Sequence, residues 1–537
     1  MTRRDLVVSG VGLTVGAGMV ASTLRPSAAP ASRHRHLQHG LASGDPLPDA
    51  VVLWTRVTPT PDATPGSGRG AVIEVPWEVA TDEAFTDVVA AGVATTGPER
   101  DHTVKLDVRD LEPATTYWYR FTHGPDTLVG RTRTAPAEGA EVERLRLGVV
   151  CCANWQAGYF GAYRHLLDHD VDVVVHLGDY LYEYEPGFYS HGSGWDDVRR
   201  HDPPHETVTL EDYRRRHAQY KTDPDLRALH AAVPMVATWD DHEVADGWFP
   251  GGAFEHDPGT EGPWDRRRAA AQRAYDEWMP VRLSGTAEVG DGVRVHRRFG
   301  FGALADLTML DLRAHRDEKV EPGDPALGRD DRSLTGAEQE AWLVDGLVSS
   351  AARWKLVGNP VMVAPMLMPP RPRGQELALR RTTDPMSWGP PLPNTDTWDG
   401  YPAQRRRVLQ RLAAEEVQDV VFLSGDVHTA WANEVLVDGR PVATEMVCSS
   451  VTSNNVDDFM GTDPRTLSLA MEEAIVELNP HVGFVNLDDH GYGVVELTSA
   501  EARLEWHAVG DRRDPDTSSR RLAVRRVRSG TPRLLPG

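Results

Sequence analysis

Residues 171–182 read Val171-Asp172-Val173-Val174-Val175-His176-Leu177-Gly178-Asp179-Tyr180-Leu181-Tyr182. A short apolar run passes directly into a glycine, a carboxylate and a phenol. Runs of this length read as strands buried on both faces. Four more have the same form. Leu145–Val150 precedes Cys151-Cys152, and Pro234–Trp239 precedes Asp240-Asp241-His242-Glu243. Trp354–Gly358 precedes Asn359, and Val420–Ser424 precedes Gly425-Asp426-Val427-His428. In an open α/β sheet the ligand crevice lies beyond the carboxyl ends of the strands. Five metal-competent clusters in that one position predict a single shared site.

Helical patterns at Ala157–His169, Leu210–Tyr220, Arg266–Trp278, Ala337–Ser349 and Pro402–Leu412 alternate with these runs, which implies a layered α/β fold. The segment before them differs. Val51–Arg56, Val72–Ala80, Val88–Val93, Thr103–Val108, Thr116–Thr122 and Leu128–Thr134 are strand-like and separated by turn residues at sandwich spacing. Asp110–Phe121 resembles the corner of a fibronectin type III sandwich. The expected architecture is therefore a fibronectin III-like β-sandwich over residues 38–136, a linker near Pro136–Ala140, and a layered α/β domain over 144–510. Residues 511–537 read as a C-terminal tail. The sandwich serves either as a lid or docking wall for the site or as a packing module. Met366–Gly400 is too long for a plain connection and reads as a functional loop or an insertion.

At 537 residues the chain can bury a sizeable core in two or three domains. Lys and Arg number 57 against 80 Asp and Glu, a formal charge of −23. That argues against a nucleic-acid-binding surface or capture by an anionic membrane, and leaves phosphate specificity to local cations. Thr2-Arg3-Arg4-Asp5-Leu6 leads into a mildly apolar stretch to about Val20, and Ser27-Ala28-Ala29 supplies small residues for cleavage. This is the layout of an export signal over residues 1–29. The paired arginines point to the twin-arginine route and a secreted protein. Cys151, Cys152 and Cys448 are too few for a disulfide scaffold. A thiolate donated to a metal suits the strand-end position of the adjacent pair, with a vicinal disulfide as the uncommon alternative. Cys448 reads as a buried core thiol.

Asp179 can bridge two cations, one through each oxygen, and Gly178 lets the backbone turn tightly beside it. A Tyr182 phenolate is a hard, strongly donating anion that suits ferric iron; the alternative is an aromatic packed under the sheet. Burying Asp240-Asp241-His242-Glu243 without a cation would be costly, and the alternative is a solvated loop with a helix N-cap. Asp426 and His428 stand two apart, on one face at extended spacing, and can reach one dinuclear centre. Asn359 offers an amide oxygen to a hard cation or a turn before Pro360. Arg313 and Arg316 offer a bidentate phosphate clamp or surface salt bridges.

These residues stand within longer ordered motifs. They are His39–Pro46 with Leu53-Trp54-Thr55-Arg56, Val129–Thr134, His176–Tyr184, Asp212–Pro234, Thr238–Val244, Trp278-Met279-Pro280, Ser424–Trp431, and Asn479-Pro480-His481 before Gly491-Tyr492-Gly493. On them the chain resembles the PhoD-like alkaline phosphatases and phosphodiesterases, a branch of the calcineurin-like metallophosphoesterases. The resemblance covers nearly everything beyond the leader. It implies a PhoD N-terminal domain over 38–136, a metallophosphatase domain over 144–510, and a centre with one Fe³⁺ and one or two Ca²⁺. Cys152 stands at the thiolate ligand, Asp179 at the bridging carboxylate, Tyr182 at the phenolate on iron, and His428 completes the iron shell. Asp241, Asp426 and Asn359 fall on the calcium side. His242 takes the place of the catalytic imidazole, with Asp241 beside it. Cys151 replaces the serine that the family has before its ligand cysteine, so either thiol can be the donor. Ala245-Asp246-Gly247 replaces paired asparagines, so Asp246 would add charge near calcium.

The implied activity is hydrolysis of phosphate mono- or diesters by metal-activated hydroxide, with His242 stabilising the transition state or protonating the leaving oxygen. Teichoic acid and phospholipid are the implied substrate classes, and the twin-arginine machinery is the implied export partner. Two other readings compete. One is a metal-dependent phospholipase D. The other is an inactive, metal-stabilised module that binds cell-wall polymer.

Overall fold

All five apolar runs form strands, but they divide between two sheets. The structure, a computed structural model, describes residues 35–189, 197–254, 256–367 and 394–537. The leader over 1–29 and most of the Met366–Gly400 insertion lie outside the described residues. Leu145–Val150, Val173–His176 and Met235–Ala237 lie side by side and parallel in a ten-stranded sheet. Trp354–Asn359 and Val420–Ser424 are parallel neighbours in a seven-stranded sheet.

The two sheets pack face to face. Leu147, Val149, Val175 and Val236 of the first share one core with Leu307, Met309, Leu356, Leu423 and Met446 of the second. Side chains alternate along a strand, so the next residues face outward. Val150, Val174 and Met235 meet Tyr163, Tyr213, Leu229 and Tyr275 from helices Gly161–Leu166, Leu210–Tyr220, Pro224–Ala232 and Trp264–Trp278. Val357, Val420 and Phe422 meet Leu343, Leu347, Val408 and Leu412 from helices Ala337–Ser349 and Pro402–Ala414. The result is four layers: helices, sheet, sheet, helices. A run that is apolar on both faces is satisfied equally by a helix or by a second sheet. The layered α/β arrangement expected from the strand pattern is therefore built on a pair of sheets.

The N-terminal region is not a free-standing sandwich. Val88–Thr96, Ile73–Ala80, Thr116–His123 and Asp126–Arg133 form a four-stranded sheet of their own. The facing layer, Leu41–Gly44, Val51–Arg56 and Thr103–Val108, is the edge of the ten-stranded sheet, joined to it by the parallel pairing Gly44↔Met235. Val51, Leu53 and Val104 pack on Val75, Val79, Tyr119 and Phe121 between these layers. Buried polar ties hold the junction: Arg297 to Asp45 at 2.7 Å, Lys105 to Asp276 at 2.5 Å, and Trp54 Nε1 to the Glu277 carbonyl at 2.9 Å. Residues 511–537, expected as a tail, supply strands Ser519–Arg528 and Leu535–Pro536 at the opposite edge of the same sheet.

Candidate metal centre

Each candidate group lies at a strand end or on the loop that follows, and the loops are bound to one another. Cys152 N–H donates to the Gly178 carbonyl and Ala153 N–H to the Asp179 carbonyl. Glu243 accepts from three backbone N–H groups, those of Asp179 (3.2 Å), Tyr180 (2.6 Å) and Asp240 (2.9 Å). It braces two loops. Gly178 sits at φ 110°, where a Cβ would come within 2.7 Å of the Asp240 backbone nitrogen. Only glycine allows that approach. Four of the candidate donors, Cys152, Asp179, Asp426 and His428, hold left-handed backbone at φ 58°, 53°, 70° and 53°. Each such residue is destabilising by about 1–2 kcal/mol outside glycine. Strain of this kind gathers where surrounding structure enforces a functional geometry.

Three overlapping donor groups result: Cys152, Asp179 and His428; Asp179, Asp241 and His242; and Asp240, Asp241 and Asp426. Within each, ligand atoms lie within 4.8 Å of one another. The Tyr182 hydroxyl donates to Asp179 Oδ2 at 2.9 Å and lies 3.2 Å from His428 Nε2. Ser453 Oγ donates to that same phenol oxygen at 2.6 Å. His428 Nδ1 donates to the Asn454 carbonyl at 2.7 Å, which leaves Nε2 with its lone pair toward the cluster. Of the adjacent thiols it is Cys152 that faces inward. Cys151 Sγ lies against the carbonyls of Cys448 and Ser449, and all three thiols are free.

The electrostatics of this cluster call for a cation. Oδ1 of Asp179 and Oδ1 of Asp241 are buried without a hydrogen-bond partner. Burial pushes the Asp179 and Asp426 carboxyls, the Cys152 thiol and the Tyr182 phenol all upward. A multivalent ion reverses that logic by stabilising each deprotonated donor. Burial holds His428 down to about 4, so its imidazole is a neutral donor. His242 is the opposite case. Burial alone would lower it, but Glu183, Asp241 and Asp179 together raise it well above its usual value. Its Nδ1 donates to Glu183 Oε2 at 2.8 Å, and its Nε2 lies 4.0 Å from Asp241 Oδ1.

Asn359 is held by scaffold bonds. Its amide oxygen accepts from Trp398 Nε1 at 2.8 Å, and its amide nitrogen donates to Ser424 Oγ at 3.1 Å and to the Val361 carbonyl. Both ends of the amide are engaged in scaffold. Asp246 bonds to Tyr184 and sits outside the three donor groups; burial, with Asp241 and Glu183, lifts its carboxyl to about 7. Arg313 and Arg316 form no surface salt bridges, being 0% and 2% exposed. Arg313 grips Asp240 through Nε at 2.5 Å and Nη2 at 2.9 Å, and reaches Asp396 at 2.9 Å; Arg316 takes the other Asp396 oxygen at 2.8 Å.

Known proteins resemble this chain along most of its length. The pattern of the PhoD-like phosphatase family matches residues 147–506, and that of the PhoD-like phosphatase N-terminal domain matches residues 22–136. The chain belongs to the PhoD-like phosphatase family. It is 37% identical over 513 residues to alkaline phosphatase D of Bacillus subtilis (strain 168), across 94% of this chain and 82% of that protein. The solved structure of PhoD superposes with a TM-score of 0.82 at 34% identity, covering 95% of this chain and 93% of that one. The protein is accordingly a hydrolase of phosphoric esters.

Several residues that shape the centre of this PhoD-like phosphatase escape a reading of the sequence. Glu183 orients His242, Ser453 bonds Tyr182, and Asn454 holds His428. The one local signal for Glu183 is an acid between two aromatics, Tyr182 and Tyr184, in a segment that folds as buried loop. Ser453-Asn454-Asn455 reads simply as a turn.

Proposed function

We propose that this PhoD-like phosphatase is a secreted phosphodiesterase working through a mixed iron–calcium centre. The carrying observation is the convergence of Cys152, Asp179, Tyr182 and His428 with Asp241 and Asp426, two of whose oxygens are buried and unpartnered. A thiolate, a phenolate and an imidazole around Asp179 suit Fe³⁺, and the carboxylates Asp241 and Asp426 suit Ca²⁺. Bound ions of this kind supply Lewis acidity and lower the pKa of a coordinated water. His242 carries a proton at Nε2 beside Asp241 and delivers it to the departing oxygen, while Glu183 fixes the ring and its tautomer. A diester is the substrate class to test first: the guanidinium groups beside the cluster are already engaged by Asp240 and Asp396, so the extra charge of a monoester would have to be met by the bound ions alone. Polymers of alkyl phosphate, such as teichoic acid, and phospholipids are diesters of this class.

Export through the twin-arginine route fits Arg3-Arg4 and Ser27-Ala28-Ala29. Among the described residues no helix is long and apolar enough to cross a membrane. The test is elemental analysis of protein exported from its own host, with visible absorption to detect phenolate-to-iron charge transfer. Iron and calcium at stoichiometric levels, together with turnover of a diester above that of the matching monoester, are expected. Protein free of both metals that still hydrolyses diesters would remove the proposal.

A further inference from the structure

Resting on that phosphodiesterase reading, we propose that Tyr184 and Tyr189, backed by Phe459, form the leaving-group subsite, and that it takes alcohols bearing a flat ring face, an aryl ring or the apolar face of a sugar. The starting point is His242. Tyr182 stacks on its imidazole at 4.2 Å between centroids and 29° between planes. Tyr189 lies nearly parallel to Tyr182 at 5.7 Å and to Tyr184 at 5.3 Å, with interplanar angles of 25° and 17°. Its ring centroid is 6.3 Å from that of His242 and 6.5 Å from that of His428, so it reaches over both imidazoles of the centre. Phe459, from the helix Val456–Met460, meets Tyr189 edge-on at 6.2 Å.

This wall is held in place by the machinery of the site itself. Asn454 donates through Nδ2 to the Tyr189 carbonyl at 3.0 Å, and its own carbonyl fixes His428. The Tyr184 hydroxyl donates to Asp246 at 3.0 Å. Tyr182 and Tyr184 are buried, whereas Tyr189 and Phe459 are half-buried, so the outer rings of the wall keep some exposure.

The chemistry ties the wall to one side of the substrate. In the hydrolysis, water's oxygen bonds to phosphorus, the bond from phosphorus to the leaving oxygen breaks, and that oxygen takes a proton from His242 Nε2. The carbon on the leaving oxygen must then emerge alongside the imidazole, where the Tyr184 and Tyr189 rings lie. Aromatic faces favour offset stacking on other flat surfaces, aryl or glycosyl. The retained ester group has no such requirement.

The experiment uses full-length, metal-loaded enzyme and diesters that share one retained group but carry methyl, aryl or glycosyl leaving groups. Tyr189→Ala should lower kcat/KM for at least one ring-bearing leaving group about tenfold, and at least about fivefold more than for methyl. Tyr189→Phe, which keeps the ring face, should restore the wild-type pattern across leaving groups. A loss confined to the aryl or to the glycosyl series supports the subsite and names its occupant. An equal loss across all leaving groups, or one that follows the retained group in a second series, would overturn it. If the wild-type enzyme turned over the matching monoesters but none of the diesters, the diester reading would fall first and the subsite with it.

Discussion

Two buried polar clusters meet at Asp179-Tyr180, and they handle charge in opposite ways. On one side Asp179, Asp240, Asp241 and Asp426 crowd together, with Arg313 set against the last three. On the other, the Tyr180 hydroxyl lies 2.9 Å from Lys221 Nζ and 2.8 Å from His230 Nε2. Lys221 also lies over the rings of Trp54 and Tyr180, and His39, His176 and His217 complete a basic hub. Burial brings Lys221 down to about 7 and His176 to about 3, and holds His39, His217 and His230 well below their usual value. The basic hub can become neutral by releasing protons. The acidic cluster can become neutral only by taking up protons or by binding cations, and only the second leaves anionic donors. The contrast separates scaffold from site: a charge cluster that proton loss can settle is structural, and one that calls for an ion is functional.

The comparison breaks first on the metal. Chelation to the metal-free protein, or Asp179→Asn, should abolish measurable turnover and release metal; a chelated enzyme that stays active would place the chemistry elsewhere. The next largest effect is expected of His242→Ala. It should lower kcat by about 10²–10⁴ while metal content, measured by elemental analysis, stays near stoichiometric. Loss of metal together with activity would make His242 a ligand instead. Glu183→Gln should be milder, about 10–100-fold, because it weakens the hold on the imidazole without removing it. The accompanying sign is a shift in the pH–rate profile, with Glu183→Asp restoring part of the activity. A pH–rate profile unshifted in the glutamine variant would deny the pairing its role.

The smallest effect belongs to the hub and is read as stability. Between about 7 and 10.5 the folded chain holds Lys221 neutral while the unfolded chain protonates it. The unfolded state then binds more protons, so stability rises with pH across that window. The depressed histidines add a fall below about pH 6.5 for the same reason. Lys221→Met should flatten the upper slope in a denaturation series across pH, with turnover close to that of wild type. An unchanged slope would show that the amine finds a counter-charge in solution.

Much of this arrangement could be read from residue order. The helices at Leu210–Tyr220 and Ala337–Ser349 have the limits that the apolar pattern predicts. Both carry a local signal: Thr209 and Asp212 form a reciprocal cap on the first, and Gly336 opens the second. The strands are equally plain, since each is a run apolar on both faces. The partition into two sheets was not legible, because Val174 against a helix and Val175 against a second sheet look alike in a list of residues. The terminal strand Ser519–Arg528 was missed for a related reason. It lies at a sheet edge and is rich in arginine, and six of its ten residues are only half-buried.

The sequence by itself determined which chemical groups stand at strand ends, how many there are, and therefore that a metal-dependent phosphoric-ester hydrolase was the reading to test. Period and spacing are local properties, and local properties survive in one dimension. Only the tertiary structure decided which way each ambiguous group faces. It turned Cys152 inward and Cys151 into the core, gave the amide of Asn359 to Trp398, and buried Arg313 among carboxylates. It also brought Glu183 onto His242, 59 positions further along the chain. Such choices depend on which way a side chain rotates against neighbours supplied by distant segments, and no spacing along the chain records that direction.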